Sequence, residues 1–122
     1  MAVVLIVDDE FGVANLLKDV LEDEGYRVLV ASNGRQALAR VAEERPDLII
    51  TDFMMPTMDG AALVKALAAN AKFKDIPVIV MSSLPEATVK ERSPPYALFV
   101  RKPFKILDLI EIVAELLDKK PA

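Results

Sequence analysis

The groups able to do chemistry in this sequence fall into four short clusters, far apart along the chain: Asp8-Asp9-Glu10, Asp52, Ser82-Ser83 and Lys102-Pro103. Each follows an apolar run of strand length, namely Ala2–Val7, Leu48–Thr51, Pro77–Met81 and Ala97–Arg101. Cysteine and histidine are both absent. Their absence removes any disulfide framework, thiolate metal site or thiol nucleophile, and any imidazole base, His zinc ligand or phosphohistidine on this chain. Carboxylate, hydroxyl and ammonium remain.

If those four runs are parallel strands of one sheet, the clusters meet on a single rim, because ligand-binding groups gather beyond the carboxyl ends of such strands. Three carboxylates brought together repel one another, and without a counter-charge at least one pKa must rise. A hard, oxygen-only site with few protein ligands and room for water suits Mg²⁺. The charges of Asp8, Asp9, Asp52, one Mg²⁺ and Lys102 then sum to zero, so an arriving phosphoryl group meets acids that no longer repel it. The cation and the ammonium can both stabilise charge on the equatorial oxygens of an in-line transfer. Asp52 is the expected nucleophile, forming an acyl phosphate.

The segments between the runs have helical period, which makes the chain an alternation of strand and helix and its sheet parallel. Helices are predicted over Glu10–Glu24, Arg35–Glu44, Gly60–Asn70 and Ile106–Lys119, with Gly25 stopping the first and Asp59 capping the third. Arg27–Ala31 supplies the remaining strand. It ends in the plain stretch Ala31-Ser32-Asn33-Gly34, as suits an outer strand away from the site. Glu86–Arg92 has room for two helical turns before Ser93-Pro94-Pro95 ends them. Five strands alternating with up to five helices predict a doubly wound α/β sheet with helices on both faces.

The 122 residues, 53% of them hydrophobic, fit one domain over residues 1–122. Mean hydropathy is +0.32, yet no apolar run approaches the roughly 18 residues of a membrane span. A cytoplasmic protein without membrane association is expected, and a net charge of −4 argues against direct nucleic-acid binding.

Val7-Asp8-Asp9-Glu10, Asp52-Phe53-Met54-Met55-Pro56-Thr57-Met58-Asp59-Gly60, Val80-Met81-Ser82-Ser83 and Lys102-Pro103-Phe104 together resemble the signature blocks of response-regulator receiver domains. They occur in the family's order, and the resemblance spans the whole chain. It implies a flavodoxin-like strand order 2-1-3-4-5. Asp9 resembles the acid that binds Mg²⁺ directly, Asp8 one that acts mainly through a metal-bound water, and Met54 the residue whose backbone carbonyl completes the metal shell. Asp52 resembles the phosphoacceptor and Lys102 the lysine that pairs with the phosphoryl group. Ser82 and Phe99 resemble the switch hydroxyl and switch aromatic, and Lys102-Pro103 the peptide bond that is typically cis.

The implied function is a two-component phosphorelay: a histidine kinase or histidine phosphotransfer protein donates, and a downstream effector reads the face built from the fourth helix, fifth strand and fifth helix. The same face is a candidate for homodimerisation. No external substrate turnover is expected, and no output domain follows, so the chain is either a stand-alone regulator or a fragment of a longer one. Each block alone has an ordinary explanation. Acids favour helix N-termini, Ser82 could cap the next helix, lysines are usually solvated and methionines usually pack; the joint placement on one rim is what favours chemistry.

Departures from the family lie in the second half. The interval from Ser82 to Lys102 is short, and Pro94-Pro95-Tyr96 stands where a small Gly-Ala pair is common, which makes a short or irregular fourth helix the expectation. Phe99 lacks the hydroxyl of tyrosine, so its burial leaves no polar group unsatisfied and an inward state without phosphate is expected. Met54 and Leu84 resemble residues flanking the path of the hydrolytic water; both are apolar, which predicts slow self-dephosphorylation. Two alternatives compete. A phosphohydrolase would need an acid two residues after Asp52, where Met54 stands. A receiver-like binding module acting without phosphorylation is opposed by the complete set of acids, hydroxyl and lysine. A nucleotide switch lacks a Gly-rich phosphate loop.

Overall fold

The computed structural model describes residues 1–118. Five strands, β1 (Val3–Val7), β2 (Arg27–Ala31), β3 (Leu48–Asp52), β4 (Val78–Ser82) and β5 (Leu98–Arg101), alternate with helices α1 (Phe11–Asp23), α2 (Gly34–Glu43), α3 (Gly60–Ala68), α4 (Glu86–Arg92) and α5 (Ile106–Asp118). The strands form one sheet in the order β2-β1-β3-β4-β5, and every pairing is parallel. This is the flavodoxin-like doubly wound order.

The central strands are apolar up to Thr51, Asp52 and Ser82 at their carboxyl ends because each parity faces a separate core. Leu5 and Val7 of β1, Ile49 of β3 and Val78 and Val80 of β4 pack with α2, α3 and Val89 of α4. Val4, Ile6, Leu48, Ile50, Ile79 and Met81 pack with Ala14, Leu17 and Leu21 of α1 and Leu109 and Val113 of α5. A strand covered on both faces gains nothing from polar alternation. Burial at about 25 cal/mol per Å² then favours β-branched and leucine side chains on both parities.

Helix ends show where local chemistry acts. After α1, Gly25 adopts φ +94°, its N–H donating to the Glu22 carbonyl while Tyr26 N–H donates to that of Leu21; this pair of bonds needs a left-handed residue, which glycine adopts without steric penalty. Asp59 caps α3 by accepting from Ala62 N–H at 2.9 Å. α3 stops at Ala68 instead of the expected Asn70. The Asn70 side chain accepts from Lys72 N–H and its carbonyl from Phe73 and Lys74, an arrangement that competes with helix.

α2 begins one residue early, at Gly34, because Asn33 caps it, accepting from Gln36 N–H at 2.8 Å. β3 and β4 each run one residue further than expected, so Asp52 and Ser82 are the last residues of strands. α4 occupies Glu86–Arg92, short as expected. The proposed extension of the last helix to Lys119 lies outside the described residues, as do the last four residues of the expected domain.

Candidate functional site

A parallel sheet aims all its strand ends the same way, which is how residues 20 or more apart in sequence become neighbours. Asp8 leaves β1 with its N–H on the Ala31 carbonyl of β2 at 3.1 Å. Its Oδ1 accepts from Glu10 N–H at 2.8 Å, closing a turn that points the acid into the rim. Asp52 ends β3 paired in register with Met81, and Phe53 N–H continues the ladder to the Met81 carbonyl. The phosphoacceptor candidate is thus fixed by sheet hydrogen bonds on the strand itself.

Lys102 follows β5, its N–H donating to the Ser82 carbonyl at 2.9 Å and its peptide bond to Pro103 being cis. The ammonium lies 3.3 Å from Asp52 Oδ1 and 3.6 Å from Asp8 Oδ2. Asp8, Asp9 and Asp52 each offer a carboxylate oxygen within 4.8 Å of the others. Asp8 and Asp52 are 2% and 7% exposed, while Asp9 is open to solvent.

The charges do not balance among these side chains. Burial pushes the Asp52 carboxyl above its ordinary range, Lys102 opposes this, and the Asp8 carboxylate adds to it. Asp8 is also raised, by burial first, against the Glu10 N–H and Lys102. For Lys102 burial alone would lower the ammonium, but Asp52 and Asp8 together outweigh it and hold it up. One ammonium stabilises itself in this company without compensating the acids. In addition Asp8 Oδ2 is buried with no hydrogen-bond partner, the Lys102 contact being an ion pair beyond bonding distance. A buried carboxylate oxygen without a hydrogen-bond donor, among three acids, fits a divalent cation.

Ser82 is 2% exposed, one residue beyond the register partner of Asp52. Its hydroxyl accepts from Leu84 N–H at 3.0 Å, holding the turn after β4; α4 itself has no side-chain cap. The Met54 side chain is exposed, and among the described residues no hydrogen bond ends on its carbonyl. Phe99, opposite Val80 on the edge strand, is half-buried and packs against the α2–α3–α4 core. All the predicted acids, hydroxyl and lysine therefore come from the same end of the sheet. Phe99 lies back within β5.

Sequence reasoning passed over the support beneath this rim. Gly60 N–H donates to the Phe53 carbonyl and Gly34 N–H to the Met58 carbonyl, both at 2.9 Å. The Asn33-Gly34 pair before an apolar helical pattern was a signal for a cap, but nothing in the sequence says which chain lies against it.

The family model for the response regulator receiver domain matches residues 4–114. The chain is 36% identical over 119 residues to sporulation initiation phosphotransferase F of Bacillus subtilis, covering 96% of this chain and 94% of that protein. It is 36% identical over 121 residues to the sensor histidine kinase TmoS of Ectopseudomonas mendocina, covering 98% of this chain and 12% of that protein. Among solved structures, the signal receiver domain of a signal transduction histidine kinase from Syntrophus aciditrophicus superposes with a TM-score of 0.91 at 36% identity, covering 100% of this chain and 96% of that one.

Proposed function

The chain belongs to the response regulator receiver domain family, and from that premise we propose that Asp52 is its phosphoacceptor, taking a phosphoryl group from a phosphohistidine on a partner kinase or phosphotransfer protein. The observation that carries this is the Lys102 ammonium 3.3 Å from Asp52 and 3.6 Å from Asp8, with Asp9 completing the acid cluster. The phosphorelay role is that of the family as a whole; the residue assignments are specific to this chain.

Asp8, Asp9, Asp52 and the Met54 carbonyl would hold Mg²⁺. When bound, the cation supplies positive charge that offsets the acids and the phosphoryl oxygens. Ionised Asp52 presents the attacking oxygen; the phosphorus–nitrogen bond to the donor imidazole breaks as the oxygen–phosphorus bond forms, the electron pair leaving with the imidazole. Lys102, already facing Asp52, pairs with the charge that accumulates on the transferred group. Asp8, held by Glu10 N–H, keeps its second oxygen turned inward.

After transfer, Ser82 would leave the Leu84 N–H for a phosphoryl oxygen, and Phe99 would move deeper, shifting a two-state equilibrium at the α4–β5–α5 face toward effector binding or self-association. In this reading the protein turns over no external substrate. Among the described residues no helix is long and apolar enough to cross a membrane. Neither the geometry nor the comparisons favour a module acting without phosphorylation.

Incubation with a small phosphodonor such as acetyl phosphate, with and without Mg²⁺, followed by intact mass, tests the assignment. Wild-type protein gains one phosphoryl group only with Mg²⁺, and Asp52→Asn gains none. An adduct of equal yield on Asp52→Asn refutes it.

A further inference from the structure

The loop from Phe53 to Asp59 joins β3 to α3, and its shape is imposed from outside. Met58 N–H donates to the Pro56 carbonyl at 2.7 Å across Thr57, whose φ is +68°. That closes a three-residue turn of the rare left-handed kind, with a β-branched residue at its strained centre. Such backbone persists only where its surroundings over-determine it.

Two contacts do so. Gly60 N–H, on the Phe53 carbonyl at 2.9 Å, seats the start of α3 against the end of β3. Gly34 N–H, a first-turn donor of α2 with no helical partner of its own, reaches the Met58 carbonyl at 2.9 Å. A Cβ on Gly34 would stand 2.8 Å from both the Met58 carbonyl oxygen and its Cγ, so the two chains can approach this closely only with glycine there. The donor is also aimed: Asn33 accepts from Gln36 N–H at 2.8 Å, and Gln36 Oε1 accepts from Ser32 N–H at 2.6 Å, which fixes the start of α2.

We infer that Gly34 is a positioning residue for the phosphoacceptor site: by holding Met58 it sets the course of the loop that carries the Met54 carbonyl, and so sets affinity for the divalent cation. The β2–α2 turn thereby becomes a working part of the site, although it supplies no acid, hydroxyl or ammonium. The inference rests on reading Asp8, Asp9, Asp52 and the Met54 carbonyl as the Mg²⁺ site.

Calorimetric titration of Mg²⁺ into the full chain, without phosphodonor, tests it. Gly34→Ala weakens binding by about tenfold or more, as loss of outer support at metal sites does. Val113→Ala, a cavity in the α1–α5 core on the other face of the sheet, lowers Tm but leaves Mg²⁺ affinity within about twofold. If Gly34→Ala does not fold, Asn33→Ala tests the same link, weakening Mg²⁺ by about threefold through the loosened cap. Wild-type protein that binds no Mg²⁺ overturns the site reading itself. Normal wild-type binding, matched by Gly34→Ala or, in its place, Asn33→Ala, overturns this inference alone.

Discussion

Gly60→Ala puts one methyl group between β3, which ends in Asp52, and the helix that follows it. The added Cβ would sit 2.6 Å from the Asp52 carbonyl oxygen and 2.9 Å from Phe53 Cα. Both obstacles are main chain, so no side chain can swing aside. Ordinary contact begins at 3.4 Å, so β3 and α3 must separate by roughly 0.8 Å, which stretches the Gly60–Phe53 hydrogen bond as well. Overpacking of this kind costs about 1–3 kcal/mol, or roughly 4–15 °C in Tm for a domain of this size. The displacement also falls on Asp52, the residue proposed to bear the nucleophile. A misplacement near 1 Å costs up to about a hundredfold in rate, and we expect about tenfold here. Circular-dichroism melts give the first quantity; the rate of phosphoryl incorporation from acetyl phosphate at saturating Mg²⁺ gives the second. A Tm within about 1 °C of wild type together with an unchanged rate would refute the coupling of Gly60 to Asp52.

Other consequences follow from the same contacts. At Gly12, inside the first turn of α1, a Cβ meets nothing within 4 Å, so Gly12→Ala raises stability by about 0.5–1 kcal/mol in denaturant titration; a loss would show a hidden constraint there. Burial raises the Asp52 carboxyl in the folded protein, so its ionisation is penalised: its contribution to stability falls as pH rises from the ordinary value, 3.8, through the folded pKa, and the cost is complete only above that folded pKa. Metal-free Asp52→Asn therefore melts above wild type at pH 7, the gap closing in acid below that window; a gap that widens in acid contradicts this. Exposed Met54 and half-buried Leu84 offer no group to orient a hydrolytic water, so the acyl phosphate decays slowly at neutral pH with Mg²⁺. Met54→Asn speeds that decay by about tenfold or more, and equal decay in both proteins would count against apolar shielding.

The parts of this molecule that could be read from residue order are those governed by burial and by the direction of a parallel sheet. Val4 to Val7 and Leu48 to Ile50 declare themselves as strands because both parities face cores. Asp8, Asp52 and Lys102 were then brought together by topology alone, since parallel strands present their carboxyl ends on one rim. The order of strands came from family resemblance, as apolar runs do not name their neighbours. Asn33-Gly34 read as an unremarkable turn because the chain it grips, Met58, lies 24 residues further on. Thr57 gave no sign of positive φ for the same reason: threonine disfavours it locally, and only the flanking anchors impose it. Likewise the helical pattern of α3 continues past Ala68, and the Asn70 turn that stops it wins through a side-chain hydrogen bond and two to its main-chain carbonyl, which periodicity does not register.

The proposed role of this site stands most directly on where a phosphoryl group goes. Acetyl phosphate and Mg²⁺ followed by borohydride reduction convert an acyl-phosphorylated aspartate to homoserine, which peptide mass then locates. Conversion at Asp52, lost without Mg²⁺ and much reduced in Lys102→Ala, is the predicted result. Conversion at another acid, or at Asp52 with equal yield when Lys102 is gone, would contradict it.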